Sequence, residues 1–463
     1  MKKFLFALIM IAFPIFVNAY DVKIDGICYN LHPSTLEADV TYNIVSDDGA
    51  WYSDYSGDVV IPSTVNSDGN TYTVSYVTDN AFARCSDLKS VVLPNTIKKM
   101  GLYVFEDCTN LTSVTLPNDI EELGNLLFAG CISLPSVTIP GSVKKIGPSA
   151  FSECNSMKTI TIPPSVIEID DWAFCYGEGL TEITIPSTVK RLGKGVFLDC
   201  RNLKKVELPT SIDELESEMF EGCTSMETLV IPDNYEIIGK YAFSGCYKMT
   251  SITIGSKITS IGDKSFTMCK RLKEIVSRIE DPFDVSNVDF PEEIYDQAVL
   301  YVPVGTVDKY KATEGWKRFF KIVEIGTIIP CKINVEINAD GGHIEYNQTK
   351  ITENKSTIEC NPGSDVTFKL VPNDGWTIGM VWLGWEDMTD KVSGDNTFTI
   401  ENVRDDFDLW VVFNYMGAGV SDIQVSDKDA KIYDLNGRPQ KLPQKGLYII
   451  REKDGVTKKK MMK

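Results

Sequence analysis

The sequence predicts a solenoid of stacked 23-residue rungs, with a parallel β-sheet on one face, short helical turns on the other, and small all-β domains after the stack. The first observation is a phenylalanine that returns nine times at one spacing. These residues are Phe82, Phe105, Phe128, Phe151, Phe174, Phe197, Phe220, Phe243 and Phe266. A leucine or methionine follows each of them six positions later, and then comes a Val-x-Leu-Pro segment such as Val91–Pro94. A fixed period of this kind is typical of a repeat architecture.

The repeating unit also predicts where its side chains lie. One unit cannot bury a phenylalanine, a leucine and two aliphatic pairs alone, so it must stack on its neighbours. The alternating Val-x-Leu predicts one short strand per rung, which ends at the proline because proline has no N–H to donate. The Ala-Phe segment, as in Asp170–Phe174, is expected to cross the other side in a short helical turn. A period of about 20 to 29 residues is that of leucine-rich repeats, so the predicted fold class is a leucine-rich-repeat solenoid.

The full repeat is Ala-Phe-x-x-Cys-x-x-Leu-x-x-Val-x-Ile-Pro-x-x-Val-x-x-Ile-Gly, which resembles the BspA-like (Treponema-type) leucine-rich repeat family. The resemblance covers about residues 53–326. "YDVKIDGICYNL" and "YSGDVVIPSTV" are similar to the N-terminal caps of that family, and Ala298–Gly326 resembles its C-terminal cap. The resemblance implies a secreted or cell-surface binding protein. Some members of the family attach to host matrix proteins such as fibronectin and fibrinogen.

Composition argues against several classes of function. The net charge of −19 over 463 residues argues against a nucleic-acid partner, which would need a basic face. The two histidines, His32 and His343, lie far apart, and neither belongs to a nucleophile motif or accompanies a Gly-rich phosphate loop. We therefore expect no enzyme activity, no cofactor and no metal site.

The first 19 residues predict export. Two lysines precede an apolar run from Phe4 to Val17, which closes on small residues up to Ala19. The run is too short for a membrane span and no stop-transfer segment follows, so we interpret it as a secretory signal peptide. The alternative is an N-terminal core strand or anchor. The mature chain is expected at the cell surface, on the exterior of the outer membrane, or released.

Most of the twelve cysteines share one column of the repeat. The column contains Cys85, Cys108, Cys131, Cys154, Cys200, Cys223, Cys246 and Cys269. In an exported chain, a high cysteine content is often a sign of disulfide bonds. Here the equal spacing favours buried free thiols, since each cysteine occupies the position of the same small residue in its rung. The fifth rung has Gly177 in this column and Cys175 two positions earlier. Cys331 and Cys360 belong to another domain, and the sequence leaves open whether they pair.

A column of charges alternates in sign from rung to rung. Lys98–Lys99 is followed by Glu121–Glu122 and then by Lys144–Lys145. Opposite charges on stacked neighbours attract each other, but an exposed pair contributes at most about 1 kcal/mol. We interpret this column as a device for register and solubility.

The outward face of the strands is the predicted ligand-binding surface, because solenoid faces of this kind are extended binding surfaces. The candidate ligand-binding residues are Thr115, Thr138, Thr159, Thr161, Glu182, Thr184, Lys205 and Glu207. The alternative is that these threonines serve no ligand, because threonine has a high β-propensity and is favoured on a solvent-exposed sheet for that reason alone. A third reading, water ordering as in ice-binding solenoids, requires a regularity that breaks after Thr184.

After Gly326 the 23-residue pattern stops. Residues 327–416 alternate apolar and polar side chains between Gly and Asn turns, which predicts a small all-β domain. The segment resembles the divergent internalin-B-type repeat, a spacer of bacterial surface proteins, at Asp374–Trp376 and at Thr397–Phe413 among other stretches. Its tryptophans are interpreted as core or strand-pair aromatics, with a carbohydrate platform as the alternative. They are Trp376, Trp382, Trp385 and Trp410.

The last segment, residues 417–463, differs in charge from the rest. From Ser421 onwards, eleven Lys and Arg stand against six Asp and Glu, a net of +5. Ile432–Arg438 and Lys445–Tyr448 resemble the C-terminal sorting tail of type IX secretion, which implies recognition by that secretion machinery. The lysine-rich end departs from the usual apolar finish, and a vestigial β module is the alternative.

These observations predict both domain organisation and function. The domains are a signal peptide (1–19), an N-terminal cap (20–78), the repeat array (79–278), a C-terminal cap (279–326), a small all-β domain (327–416) and a sorting-tail-like segment (417–463). We expect a non-enzymatic, adhesin-like protein without a transmembrane span, which binds a host extracellular-matrix or surface protein through its strand face. A glycan-binding protein and a purely architectural envelope protein are the alternatives.

Overall fold

The computed structural model describes residues 20–45, 51–403 and 405–415, together with four strands between residues 431 and 462. The chain divides into two compact units, Met1–Gly326 and Thr327–Lys463. The predicted signal peptide lies outside the described residues. The repeats lie in the first unit, and the second unit consists of strands and short turns.

The N-terminal cap precedes the first rung, and its strands belong to three sheets. Its strands are β1 (Val22–Ile24), β2 (Ile27–His32), β3 (Glu37–Thr41), β4 (Ile44–Val45), β5 (Trp51–Tyr52), β6 (Gly57–Val60), β7 (Thr64–Ser67) and β8 (Asn70–Val77). The buried hydroxyl of Tyr55 donates to the carbonyl of Thr41 (2.8 Å) and accepts from the N–H of Cys28 (3.0 Å). The ring of Tyr55 lies 4.9 Å from the ring of Phe82. Tyr55 therefore fixes the cap to the start of the phenylalanine column.

The array carries two parallel ladders on different sides of each rung. Its strands are β9 (Leu88–Val92), β10 (Lys99–Met100), β11 (Ser113–Thr115), β12 (Glu122–Leu123), β13 (Lys145–Ile146), β14 (Glu168–Ile169), β15 (Glu182–Thr184), β16 (Arg191–Leu192), β17 (Lys205–Glu207), β18 (Glu214–Leu215), β19 (Thr228–Val230), β20 (Ile237–Ile238), β21 (Ser251–Ile254), β22 (Ser260–Ile261) and β23 (Glu274–Ser277). The first ladder contains β6 of the cap and then β9, β11, β15, β17, β19, β21 and β23, and the second contains the two-residue strands of the array. Partners lie one repeat apart in both, as in Val91 with Val114 and Leu123 with Ile146. The predicted solenoid of 23-residue rungs is confirmed.

The Ala-Phe segments form the third side as consecutive tight turns. Within one rung, the N–H of Ser152 donates to the carbonyl of Ser149 (3.1 Å), three residues back. Between rungs, the N–H of Phe151 donates to the carbonyl of Ala173 (2.8 Å). The residues two before and two after each phenylalanine have positive φ, 52° at Ser149 and 59° at Glu153. This left-handed backbone costs about 1–2 kcal/mol per non-glycine residue, which the hydrogen bonds and packing of the stack must offset.

The phenylalanine column fills the interior of the stack. From Phe82 to Phe266, neighbouring rings lie 5.3–5.9 Å apart and within 28° of parallel. None of the nine side chains is more than 3% exposed. Such pairs contribute about 0.5–1.5 kcal/mol each beyond the burial of their area. The core is thus continuous from rung to rung, as the repeat requires.

The C-terminal cap covers the last ring of the column. It consists of α1 (Glu292–Gln297), β24 (Val299–Val302), α2 (Val307–Ala312), a 3-10 turn (Trp316–Arg318) and β25 (Lys321–Glu324). Strands β24 and β25 extend the first ladder in parallel. The ring of Phe290 lies 4.8 Å from Phe266 and 6.2 Å from the fully buried Trp316. Aromatic side chains thus take the place of the missing next rung.

The second unit contains two sheets around one core. Its strands are β26 (Cys331–Ile337), β27 (Gly342–Tyr346), β28 (Thr349–Ile351), β29 (Lys355–Cys360), β30 (Ser364–Pro372), β31 (Trp376–Leu383), β32 (Glu386–Asp387), β33 (Thr397–Val403) and β34 (Phe407–Tyr415), with 3-10 turns at Ala339–Gly341 and Thr389–Lys391. One sheet has the order β29-β26-β34-β31-β32 and the other β28-β27-β30-β33. Alternate residues of β26 are buried, which matches the alternation read from the sequence.

Four further strands form a separate antiparallel sheet near the C-terminus. They are β35 (Lys431–Tyr433), β36 (Pro439–Gln440), β37 (Gly446–Arg451) and β38 (Thr457–Met462), in the order β36-β35-β37-β38. The side chains of the sorting-tail-like motifs lie outside the described residues.

Candidate functional site

The solvent side of the first ladder presents two exposed rows of side chains. In β11, β15 and β19, a buried residue lies between two exposed ones, as Val114 does between Ser113 and Thr115, and the other strands follow a similar alternation. We call this surface the sheet face. Ladder register places Glu182 beside Lys205, and the same spacing of one repeat relates the residues of every other rung.

All eight ligand-binding residues predicted from the sequence lie exposed on the sheet face. The structure separates them into an uncharged group and a group around a charged pair. The uncharged group, together with the serines on the same two strand-face positions of its first two rungs, is named the hydroxyl patch. It consists of Ser113, Thr115, Ser136, Thr138, Thr159 and Thr161. Within the described part of the chain, none of these hydroxyl groups has a hydrogen-bond partner in the protein.

The remaining predicted residues contact one another. The Nζ of Lys205 lies 2.9 Å from Oε1 of Glu207, and Thr184 donates to Oε2 of the same carboxylate (3.4 Å). The hydrogen bond from Lys205 holds the pKa of Glu207 below its usual value. Glu182 lies opposite Lys205 in the ladder. Lys205 and Glu207 thus neutralise each other, and Glu182 adds one negative charge to this end of the surface, whereas the hydroxyl patch carries no charge.

The middle of the hydroxyl patch lacks regular strand pairing. Residues 136–138 and 159–161 alternate exposed and buried like the other rungs, but no strand is assigned to them. In the rung before, the N–H of Thr112 donates to the carbonyl of Lys89 (2.9 Å). Pro135 occupies the equivalent position one repeat later and has no N–H to donate. Turns and core packing, rather than the ladder, therefore hold this part of the face.

The charge column, on the second ladder, pairs with itself. Glu122, Lys145, Glu168 and Arg191 lie opposite one another in successive strands. Asp170 contacts both cations, at 3.1 Å from Lys145 and 2.6 Å from Arg191. Burial acts to raise the pKa of Asp170, but the hydrogen bonds from Arg191 and Lys145 hold it below its usual value. These contacts keep neighbouring rungs in register and leave little free charge for a ligand.

The cysteine column is buried, and all twelve cysteines are free thiols. The thiol of Cys131 donates to the carbonyl of Phe105 in the preceding rung (3.1 Å). The same bond, at 3.0–3.3 Å, is made by Cys108, Cys154, Cys200, Cys223, Cys246 and Cys269. Burial raises the pKa of Cys85 and of Cys269 to about 12. The prediction of buried free thiols is confirmed.

The native protein is therefore expected to resist alkylation of the column cysteines by iodoacetamide at mildly alkaline pH, because the thiolate is the reactive form. After unfolding in guanidinium, all twelve cysteines should react. Intact-mass spectrometry before and after unfolding measures both states, with glutathione in the same tube as a control for reagent activity. Modification of any column cysteine in the folded protein would contradict this burial.

Sequence reasoning missed a cleft of about 670 Å³ in the N-terminal cap. Its walls include the carboxylates of Asp25, Asp54 and Asp58. Tyr29 also lines it, and the buried hydroxyl of Tyr29 has no hydrogen-bond partner among the described residues. The one sequence signal was the acidic stretch from Asp47 to Asp58, whose spacing does not fit a calcium loop. No group of side chains suited to a metal ion occurs in the described part of the chain.

The tryptophans of the second unit have different surroundings. Trp382 and Trp410 lie opposite each other in β31 and β34, and Nε1 of Trp410 donates to Glu336 (3.0 Å). Trp376 packs against the core, whereas Trp385 is 68% exposed. Strand pairing and core contact thus account for three of the four.

Cys331 and Cys360 are register partners in the antiparallel strands β26 and β29. Both are buried, and both are free thiols in this structure. Direct cross-strand partners have Cα atoms about 4.5–5.5 Å apart, a separation that a disulfide can span.

Comparison with known families identifies the array. Residues 75–204 and 168–281 match the family described as BspA type leucine rich repeat region, in six copies. The repeats of residues 75–281 are similar to BspA-type leucine-rich repeats. Proteins with such repeats are bacterial surface proteins. The family resemblance is confirmed for the array, whereas the internalin-like repeat and the sorting tail stay predictions.

Several solved structures are similar to this chain. A leucine-rich repeat protein from Bacteroides ovatus is 23% identical, over 65% of this chain and 88% of that one, with a TM-score of 0.48. A leucine-rich cell surface protein from Faecalibacterium prausnitzii is 21% identical, over 66% and 95%, with a TM-score of 0.37. A leucine-rich repeat protein from T. pallidum is 26% identical, over 53% and 87%, with a TM-score of 0.32. Among curated proteins, none matches this chain.

Among the described residues, none of the helices has the length and apolar character that crossing a bilayer requires.

Proposed function

We propose that the protein is a non-enzymatic binding protein whose sheet face engages a protein of the host extracellular matrix or host cell surface. The observation that supports this most is the hydroxyl patch, six exposed serine and threonine side chains in three successive rungs. Each hydroxyl group both donates and accepts, so the patch can bind backbone and side-chain groups of many geometries. Burying it desolvates no charge, which keeps the cost of association low.

The other sides of the rung offer less to a ligand. The charges of the second ladder are engaged with each other, as the contacts of Asp170 with Lys145 and Arg191 show. The binding mechanism we propose is therefore a sum of many weak contacts along one rigid, repeating surface. In this arrangement the second unit acts as a spacer between the array and the C-terminal segment.

We further infer that the chain is exported through its N-terminal signal peptide and is sorted by its C-terminal segment, through the type IX secretion machinery. The BspA-type array supports a surface location, since proteins of this type are found there. After sorting, the protein would be held on the exterior of the outer membrane or released.

The test is saturable binding of residues 20–463 to immobilised fibronectin, fibrinogen and a glycan array. The variant Thr138→Arg with Thr161→Arg places two long cations in the hydroxyl patch. We expect it to weaken binding to the protein ligand at least tenfold, about 1.4 kcal/mol. The matched control is Ser156→Arg with Ser187→Arg, which adds the same charge at exposed serines away from the sheet face.

Each outcome selects one reading. Loss of binding in the patch variant alone supports the proposal. Equal loss in both variants would show that the added positive charge, and not its position, weakens binding, and would contradict a binding site at the hydroxyl patch. Binding that survives in the patch variant excludes the sheet face. Competition by free oligosaccharide would favour glycan binding, and the absence of any saturable ligand would favour an architectural envelope protein.

A further inference from the structure

We propose that the second unit is a mechanical clamp, in which tension along the chain must shear its first strand from its last. This rests on the proposed function, because a chain held at one end and bound at the other carries tension. The first strand of the two-sheet fold, β26, and the last, β34, are direct neighbours and run parallel. The chain enters β26 at Cys331 and leaves β34 at Tyr415, at opposite ends of the pair. A pull on both ends therefore acts along the strands.

The backbone pairing between these strands is regular over five positions. The register runs without a bulge from Ile333 with Phe407 to Ile337 with Val411. Hydrogen bonds of a parallel pair are evenly spaced along the strands. Tension applied at opposite ends therefore loads all of them together, whereas tension at one end would break them one after another.

Side chains close the ladder at both ends. At the entry end, the N–H of Lys332 donates to Oδ1 of Asp406 (2.7 Å). At the other end, Nδ2 of Asn338 donates to the carbonyl of Phe413 (2.8 Å), and Oδ1 of Asn338 accepts from the N–H of Phe413 (2.7 Å). The side-chain amide of Asn338 thus pairs with the backbone as one more residue of the strand would. The hydrogen-bonded contact between β26 and β34 therefore extends beyond the five register pairs.

Two further side-chain bonds join the same strands on the exposed side. Nδ2 of Asn334 donates to Oδ1 of Asp408 (3.1 Å), and Nε1 of Trp410 donates to Oε2 of Glu336 (3.0 Å). Polar cross-links therefore lie at the ends and in the middle of this one pair of strands.

The repeat array responds to tension differently. A pull on the end of a stack acts on one terminal rung at a time, because each rung contacts only its neighbours. The second ladder joins neighbouring rungs over two register pairs and the first ladder over three or four, fewer than the five between β26 and β34. We therefore expect the array to unravel in small steps before the clamp yields.

The experiment is single-molecule force spectroscopy of residues 20–463 with a handle at each end. The array should extend first, and the last and strongest event should release residues 331–415, with a gain in length of about 250–300 Å at about 3.3–3.6 Å per residue. In the second geometry, the C-terminal handle is moved to a bio-orthogonal amino acid at position 405, just before β34. Tension then peels β26 from β34 from one end, and the force of this event should fall severalfold.

A variant separates the clamp from general stability. Asn338→Ala should lower the unfolding force in the end-to-end geometry. With the handle at position 405 the force should stay unchanged, because the strands then separate from the other end and the bonds of Asn338 break last. The control Thr367→Ala removes a cross-strand bond of the other sheet, to Thr399 (2.8 Å), and should change neither force. If Asn338→Ala does not fold, the two geometries of the unaltered chain still decide the question.

Two results would overturn the clamp: equal force in both geometries, or release of residues 331–415 before the array. Neither result depends on a ligand. Failure of the clamp would leave the binding test on the hydroxyl patch unaffected, and failure of that test would leave the force measurement unaffected.

Discussion

Replacement of Phe151 by alanine is expected to lower the free energy of unfolding of the array by about 3–5 kcal/mol. Its ring is 1% exposed and is stacked between Phe128 and Phe174 at 5.4 Å on each side. The second ladder and the hydrogen bonds of the turn side, such as Phe151 N–H to the carbonyl of Ala173, fix the spacing of the stack here, so the neighbouring rings cannot close the gap. The cavity should therefore weaken two interfaces at once, and not only the rung that carries the substitution.

Hydrogen exchange with mass spectrometry, combined with denaturant titration, measures both the size and the place of this loss. Protection should fall in the rungs on either side of Phe151 and stay unchanged in the second unit. The control is Phe320→Ala, because Phe320 is 84% exposed and its loss should change stability by no more than about 0.5 kcal/mol. Equal effects of the two substitutions would contradict a continuous phenylalanine core.

Replacement of Gly239 by alanine is the second change with a large expected effect. A Cβ atom at this position would lie 2.4 Å from the backbone N of Ser217 and 2.6 Å from the backbone C of Glu216. Both atoms belong to the preceding rung, which the ladders hold in place. Such overpacking costs about 1–3 kcal/mol, and here the upper end is expected because backbone rather than a flexible side chain must move.

The matched control is Gly141→Ala, where a Cβ atom would meet nothing within 4 Å. This change should leave stability unaltered or raise it by about 0.4–1 kcal/mol, since alanine restricts the unfolded chain. Thermal unfolding followed by circular dichroism compares the two variants. A midpoint for Gly239→Ala equal to that for Gly141→Ala would show that the rungs can separate to admit a side chain.

The architecture of the array could be predicted from sequence because the same pattern of buried and exposed residues occurs in every repeat. The period alone predicted the ring column, the buried thiols and the exposure of Thr138 and Thr161. It did not predict the left-handed residues that flank each phenylalanine, because Ser149 and Glu153 are ordinary residues whose backbone angles follow from the stack. Pro135 was a readable signal for the interrupted sheet, since a proline cannot donate to a ladder.

The second unit was less predictable, for a physical reason. Alternation of apolar and polar residues identifies strands and their buried sides, but not which strands are neighbours. The parallel pairing of β26 with β34 is a contact between residues some 74 positions apart, as Asn334 and Asp408 show. The role of Asn338 as an extension of the strand likewise depends on where Phe413 lies. The sheet face was predicted as a surface, whereas its ligand depends on a second molecule that one sequence does not encode.

The contacts between rungs, from the thiol of one cysteine to the carbonyl of the preceding phenylalanine, all join residues of adjacent repeats. Loss or duplication of one whole repeat would therefore recreate the same bonds at the new junction. Recombination between similar repeats in the gene can change the number of rungs and keep these bonds, and a change by two repeats also keeps the alternation of the charge column. Related strains are thus expected to carry arrays of different length, and the extent of the sheet face becomes a heritable variable that is independent of the fold.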